Sequence, residues 1–225
     1  KITEHVVNSW YNGEILDPKI DSPDPDIYKD GYSWIKSPRY NDNVFEVGPV
    51  ARLIVAYMKN QQPWKAEIDK ILNEFKIDIS KLNSVLGRHI ARFIEAKVLV
   101  NECINWILKI KPEEDFYIDF EIPENSEGVG LSEGARGAVG HWIVIKNKKI
   151  FHYQVISPTT WNASPRDKNG NHGAIEKALI ETEINDEEKP VEILRIIRSF
   201  DPCLACAVQI IDNKKLNKKE FLIWE

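Results

Sequence analysis

Apolar residues along the chain change period twice, and each change marks a change in the expected structure. From Val44 to Asn60, Val50, Leu53, Ile54 and Tyr57 recur at helical spacing, with Pro49 tolerable only near the start of that helix. A second helix is expected from Pro63 to Phe75. The strongest signal runs from about Ser80 to Ile110, where one broad apolar stripe extends from Leu82 through Ile90, Ile94 and Val98 to Leu108 with no internal proline. A helix rising about 1.5 Å per residue over that length crosses a whole domain and needs partners on several sides, so a central bundle helix is predicted. After Pro112 and an acidic stretch over 113–127 the period becomes two. His141–Ile145 and Ile150–Ile156 flank Lys146-Asn147-Lys148-Lys149, which predicts a β-hairpin with a short polar turn. A loop from Pro158 to Gly173 precedes two short helices, about 174–182 and 190–200, the second started by Pro190 and stopped by Asp201-Pro202. Residues 1–43, rich in Pro, Asp, Asn, Tyr and Trp, show little periodicity and read as coil and turns, an extended arm wrapping something larger. No internal repeat is visible. The expected class is α+β, mainly long helices with a small antiparallel hairpin sheet.

Composition narrows the function. A chain of 225 residues with 43% hydrophobic and 29% charged positions excludes collagen-like, low-complexity and wholly disordered readings. With 30 basic against 35 acidic residues there is no broad attraction to phosphate backbones or anionic lipid, so nucleic acid is not an expected partner and membrane contact would come only through partners. The sequence has no run of about 18 uncharged apolar residues, and Lys1-Ile2-Thr3-Glu4-His5 lacks the regions of a signal peptide, so a soluble chain is expected.

Three cysteines are too few for a disulfide framework, but Cys203 and Cys206 form a C-x-x-C pair. Two thiolates at this spacing can converge on one soft metal, and a helix or turn after Pro202 would lower their pKa. Inert buried cysteines are an equal alternative on residue types alone. There is neither a second pair for structural zinc nor the βαβ setting of a thioredoxin-like site. Cys103 on the apolar stripe reads as a core filler, His89 as a structural histidine, and His5 and His172 as loop residues; His141 and His152 lack metal-ligand spacing. The glycines from Gly128 to Gly140 open a hairpin rather than a helix and lack the phosphate-loop pattern. Arg136 among them is either a fixed charge aimed into a buried site or a surface salt bridge. Lys214 to Lys219 reads as a solvated run.

Four strings taken together carry more. Glu46-Val47-Gly48-Pro49-Val50-Ala51-Arg52, Ala135-Arg136-Gly137-Ala138-Val139-Gly140-His141-Trp142, Pro158-Thr159-Thr160-Trp161-Asn162-Ala163-Ser164-Pro165-Arg166-Asp167 and Ser199-Phe200-Asp201-Pro202-Cys203-Leu204-Ala205-Cys206 stand in this order. The chain, over essentially its whole length, resembles the C-terminal part of the large subunit of nickel-iron hydrogenases. The resemblance implies reversible heterolytic cleavage of H2 at a nickel-iron centre held by four cysteines, with CO and cyanide on iron. It makes Cys203 the terminal nickel thiolate and proton acceptor, and Cys206 the thiolate bridging nickel and iron. Arg136 becomes a fixed cation over the metals, with Asp201 in the same canopy. Pro158 and Thr159 border the diatomic ligands, and Ala135 occupies a position that is commonly Pro.

The resemblance also implies a magnesium ion at the backbone carbonyl of Val155 and at position 209, where Gln209 replaces the family's histidine. The family's mature chain usually ends there, so residues 210–225 read as a C-terminal tail, an uncleaved maturation extension. The family's other C-x-x-C has no counterpart here. The implied partners are therefore the N-terminal half of the large subunit as a separate chain, unless these residues are a piece of a longer one, and a small subunit carrying iron-sulfur clusters. The compartment, periplasmic, membrane-associated through the small subunit or cytoplasmic, stays open. A non-catalytic hydrogenase-like scaffold and a metal-free precursor are the alternatives.

Overall fold

The computed structural model describes residues 1–186 and 188–203. The first forty residues, expected to be coil, instead hold a three-stranded sheet. Strand β1 (Ile2–His5) lies at its centre, with β2 (Ile15–Leu16) and β3 (Ser37–Tyr40) antiparallel on either side. Strands of two and four residues are too short to show a period, and what fixes them lies far along the chain. Arg39, with no solvent exposure, donates Nε to Asp167 Oδ2 at 2.7 Å. Its other donors meet the carbonyls of Pro38, Pro165 and Asn171 and the Ser164 hydroxyl. Burial pushes the Asp167 carboxyl up, but the hydrogen bonds from Arg39 and Asn171 outweigh it and hold the group below its ordinary value.

His5 is a β1 residue with a fully buried ring, not a loop residue. Its Nε2 lies 3.6 Å from Asp42 Oδ1, and neither ring nitrogen makes a hydrogen bond. Burial holds its pKa below the ordinary value, opposed by Asp167 and Asp42 and assisted by Arg39 and Lys168.

The helical half follows the expected periodicity. Helix α1 (Pro49–Met58) begins with its proline in the first turn and buries Val50, Leu53 and Ala56. Helix α2 (Trp64–Phe75) buries Ile68. The long stripe divides: Ile79–Leu82 is a separate 3-10 turn, and α3 (Val85–Lys109) starts only where the Ser84 hydroxyl accepts the Gly87 N–H. Val50, Leu53, Ile68, Leu82, Ala91 and Ile94 form one core cluster. Only the first half of α3 is covered. Val100, Ile104, Ile107 and Leu108 are exposed, so the expected all-round packing does not extend to that end.

The predicted hairpin is present as β5 (Gly137–Lys146) and β6 (Lys149–Ile156), turning through Asn147-Lys148, both in the left-handed region. A further strand, β4 (Asn125–Gly134), pairs with β5 along its whole length. Every residue of β4 is exposed, so no buried face imposes the alternation that would have marked it. Pro158–Asn162, expected in a loop, forms the short helix α4 with its proline in the first turn. Helices α5 (Ala174–Leu179) and α6 (Val191–Ser199) are shorter than expected. Trp142, Ile156 and Trp161 pack with Ile2 and Val47, which joins the second sheet, α4 and the N-terminal sheet. No helix of the described residues is long and apolar enough to cross a membrane.

Two outcomes follow from these buried charges. Arg39→Met strands Asp167 without its partner and is expected to cost about 3–5 kcal/mol in denaturant unfolding, part of which Arg39→Met/Asp167→Leu recovers. For His5 the folded-state pKa is depressed, so the unfolded chain takes up a proton first as pH falls. Its contribution is complete above the ordinary histidine value of about 6.5 and is lost as pH falls from there toward the folded value. His5→Gln should flatten the dependence of the thermal midpoint on pH between about pH 8 and pH 5.

Candidate metal centre

The Cys203 segment is launched from α6 and aimed by α3. Arg92 donates Nη1 to the Ser199 carbonyl at 2.6 Å. Arg88, held through both carboxylate oxygens of Glu46 at 2.7 and 2.8 Å, lies 3.7 Å over the buried ring of Phe200. Asp201 then leaves the helix in the left-handed region, at φ 52°, and Pro202 prevents its resumption. The chain reaches α4, where the Cys203 backbone N–H donates to Thr159 Oγ1 at 3.1 Å. Thr159 is buried, and Pro158 beside it starts α4.

From the other side comes Arg136, in the two-residue connection Ala135-Arg136 between β4 and β5. Its Nε donates to the Asp201 carbonyl at 3.0 Å and lies 3.4 Å from Asp201 Oδ2. Arg136 and Asp201 side chains are 41% and 44% exposed, so this pair lines an open face. The structure thus brings Arg136, Asp201, Thr159 and Cys203 together from three elements. Ala135 is exposed in the same connection. Val155 stands in β6 opposite His141. Cys206, Gln209 and the tail 210–225 lie outside the described residues.

The other candidates separate cleanly. Cys103 is exposed and not a core filler, because it lies on the uncovered half of α3. His89 is exposed on the same helix. His141 Nδ1 lies 2.7 Å from the Tyr153 hydroxyl, His152 meets Ser22 Oγ and the Pro18 carbonyl, and His172 pairs with Glu176. Sequence reasoning gave no role to Glu46, Arg88 and Arg92; Arg88 and Arg92 stand one helical turn apart on α3, and that spacing gained meaning only once Ser199 and Phe200 were placed beside them.

Among the described residues no group of three or more His, Cys, Asp or Glu side chains could hold a metal ion. The donor placed here is one half-buried thiol, two residues beyond the Asp201 that pairs with Arg136, and a cysteine sulfur is a soft-metal ligand. It fits a thiolate-held centre in part, with the remaining donors supplied from elsewhere.

Residues 1–209 match the family model described as nickel-dependent hydrogenase. The uptake hydrogenase large subunit of Bradyrhizobium diazoefficiens is 42% identical over 206 residues, covering 83% of this chain and 33% of that protein. The [NiFeSe]-hydrogenase of Desulfomicrobium baculatum superposes with a TM-score of 0.80 at 37% identity, over 92% of this chain and 44% of that one. The Ni-Fe-Se hydrogenase of Desulfovibrio vulgaris Hildenborough gives 0.81 at 36% identity, over the same shares. The chain spans about a third of the length of the curated relatives it matches.

Thr159→Val removes the acceptor that holds the Cys203 N–H and is expected to cost about 1–3 kcal/mol. Alkylation at Cys203, read by mass spectrometry, should quicken while Cys103 is unchanged, and Thr159→Ser should behave as the parent. Unaltered Cys203 reactivity in Thr159→Val would refute the anchoring role.

Proposed function

Because this chain belongs to the nickel-dependent hydrogenase family, we propose that it forms the carboxy-terminal, metal-holding part of a hydrogenase large subunit and serves the reversible cleavage of H2 into protons and electrons. The observation that carries the reading is the convergence of Cys203 on Thr159 with Arg136 on Asp201. When bound, a nickel-iron centre with CO and cyanide on iron would supply the Lewis acidity and the electron acceptance that split the H–H bond.

The chain's own residues would then divide the work. Cys203 Sγ would hold nickel as a thiolate and would be the proton acceptor. Cys206 would supply a second thiolate to the same centre. The Arg136 guanidinium, tied to Asp201, places a positive charge whose position costs no reorganisation during the reaction. Thr159 is committed to the Cys203 backbone, so its side chain and Pro158 would form a fixed wall beside a centre held at Cys203. Ala135 sets less of that wall than a proline would. The Val155 carbonyl and Gln209 are the proposed magnesium ligands, both oxygen donors suited to a hard cation.

With one C-x-x-C among these residues, the remaining thiolates would come from the portion of the large subunit outside them. Electrons leave through a small subunit bearing iron-sulfur clusters.

The test is elemental and spectroscopic. The purified complex is expected to contain nickel and iron and to absorb in the infrared region of metal-bound CO and cyanide; absence of all three overturns the reading in favour of a scaffold or a metal-free precursor. Cys203→Ser is expected to abolish H2 uptake while far-ultraviolet circular dichroism keeps its helical signal. An unaffected uptake rate would overturn the ligand assignment.

A further inference from the structure

The connection that carries Arg136 is not the kind that holds itself. Two-residue hairpin connections match the twist of their strands when both central residues, or the first, have positive φ. Neither Ala135 nor Arg136 does; the positive φ falls on the next residue, Gly137, at 133°. Such a turn needs outside support, and Arg52 of α1 supplies it. Its Nη1 donates to the Gly134 carbonyl and its Nη2 to the Ala135 carbonyl, each at 3.0 Å. The same guanidinium is fixed to α3 through Glu95, Nε at 2.6 Å and Nη2 at 2.7 Å, and to Glu133 at the end of β4 through Nη1 at 2.8 Å. Every N–H of the fork is used.

The opposite side of the turn is closed by backbone. A Cβ at Gly137 would lie 2.7 Å from the Gly48 nitrogen, and a Cβ at Gly48 would lie 3.0 Å from the Arg136 carbonyl oxygen. The turn is therefore gripped between the Val47-Gly48 backbone and the Arg52 fork. Arg136 is long and 41% exposed, so its own packing leaves its direction loose. That direction is set mainly at its root.

We infer that Arg52 is a positioning residue that aims Arg136 at Asp201, by pinning both carbonyls of the β4–β5 turn to the α1–α3 helix pair. This inference rests on the functional reading above. A lysine cannot replace Arg52, because one ammonium cannot reach two carbonyls and two carboxylates in a planar arrangement.

The experiment uses the assembled, metal-loaded complex and compares Arg52→Lys, Arg136→Lys and the double variant, with kcat expressed per nickel. Arg52→Lys is expected to lower kcat by roughly 10–100-fold, the usual effect of releasing a group that orients a residue at a metal site, with little change in KM for H2. Adding Arg52→Lys to Arg136→Lys should cause no further loss, because the residue being aimed is already altered. Amide hydrogen exchange over residues 134–137 should quicken in Arg52→Lys while α1 and α3 keep their protection.

Losses that multiply in the double variant, or a parental kcat in Arg52→Lys, overturn the inference and leave the functional reading standing. A parent complex without nickel and without H2 uptake overturns the functional reading and this inference with it. If Arg52→Lys does not assemble, Glu95→Gln, which weakens only the α3 anchor of the fork, decides: a lowered kcat per nickel supports the role and a parental value overturns it.

Discussion

A guanidinium removed from water is unfavourable unless each of its donors finds an acceptor, and Arg39 meets that condition completely. Five hydrogen bonds tie it to Asp167, Ser164 and three backbone carbonyls. All its partners except Pro38 lie more than a hundred residues downstream. A three-stranded sheet with strands this short has little stability of its own. Its place is fixed because it carries the cation around which the 164–171 segment folds. That segment continues α4, whose Thr159 receives Cys203, so the N-terminal sheet and the thiol are linked through one satisfied charge.

The same device recurs across the chain. Arg88 and Arg92 hold Phe200 and Ser199, and Arg52 holds the turn before Arg136. Arg52 and Arg92 grip the main chain of a distant segment and Arg88 covers a distant ring, contacts in which a planar fork sets orientation more closely than a hydrophobic contact could. The apolar clusters provide the driving force for collapse, while the arginines set registration between the collapsed pieces. This division places the candidate centre at the meeting point of bracketed loops, with no single element containing it.

What was legible beforehand follows from how each element is stabilised. Helices α1 and α2 and the body of α3 bury one face, and their spacing announced them. Strands β5 and β6 are rich in β-branched and aromatic residues on either side of a polar turn, and were equally visible. Strand β4 buries nothing, and β1 to β3 are ordered by Arg39, so neither left a periodic trace. His5 looked like a loop residue for the same reason. At the centre, C-x-x-C by itself left thiolate chemistry and inert cysteines as equal readings, and only the family resemblance favoured the first. The pairing of Arg136 with Asp201 was expected only through the family resemblance, and the link from Thr159 to Cys203 required the fold. Arg52 stood in a quoted motif, but its role depends on α1, α3 and a turn 83 residues away meeting at one point.

The bare flank of α3 has a consequence for how such a protein is made. Val100, Ile104, Ile107 and Leu108 lie along one rod with water against them, a surface as ready to adhere to another copy as to its proper cover. Whether that cover is another stretch of the same polypeptide or a separate one, it must arrive before a sibling does. Timing of synthesis, and any escort that shields the rod meanwhile, therefore becomes a determinant of yield alongside the folding energy itself.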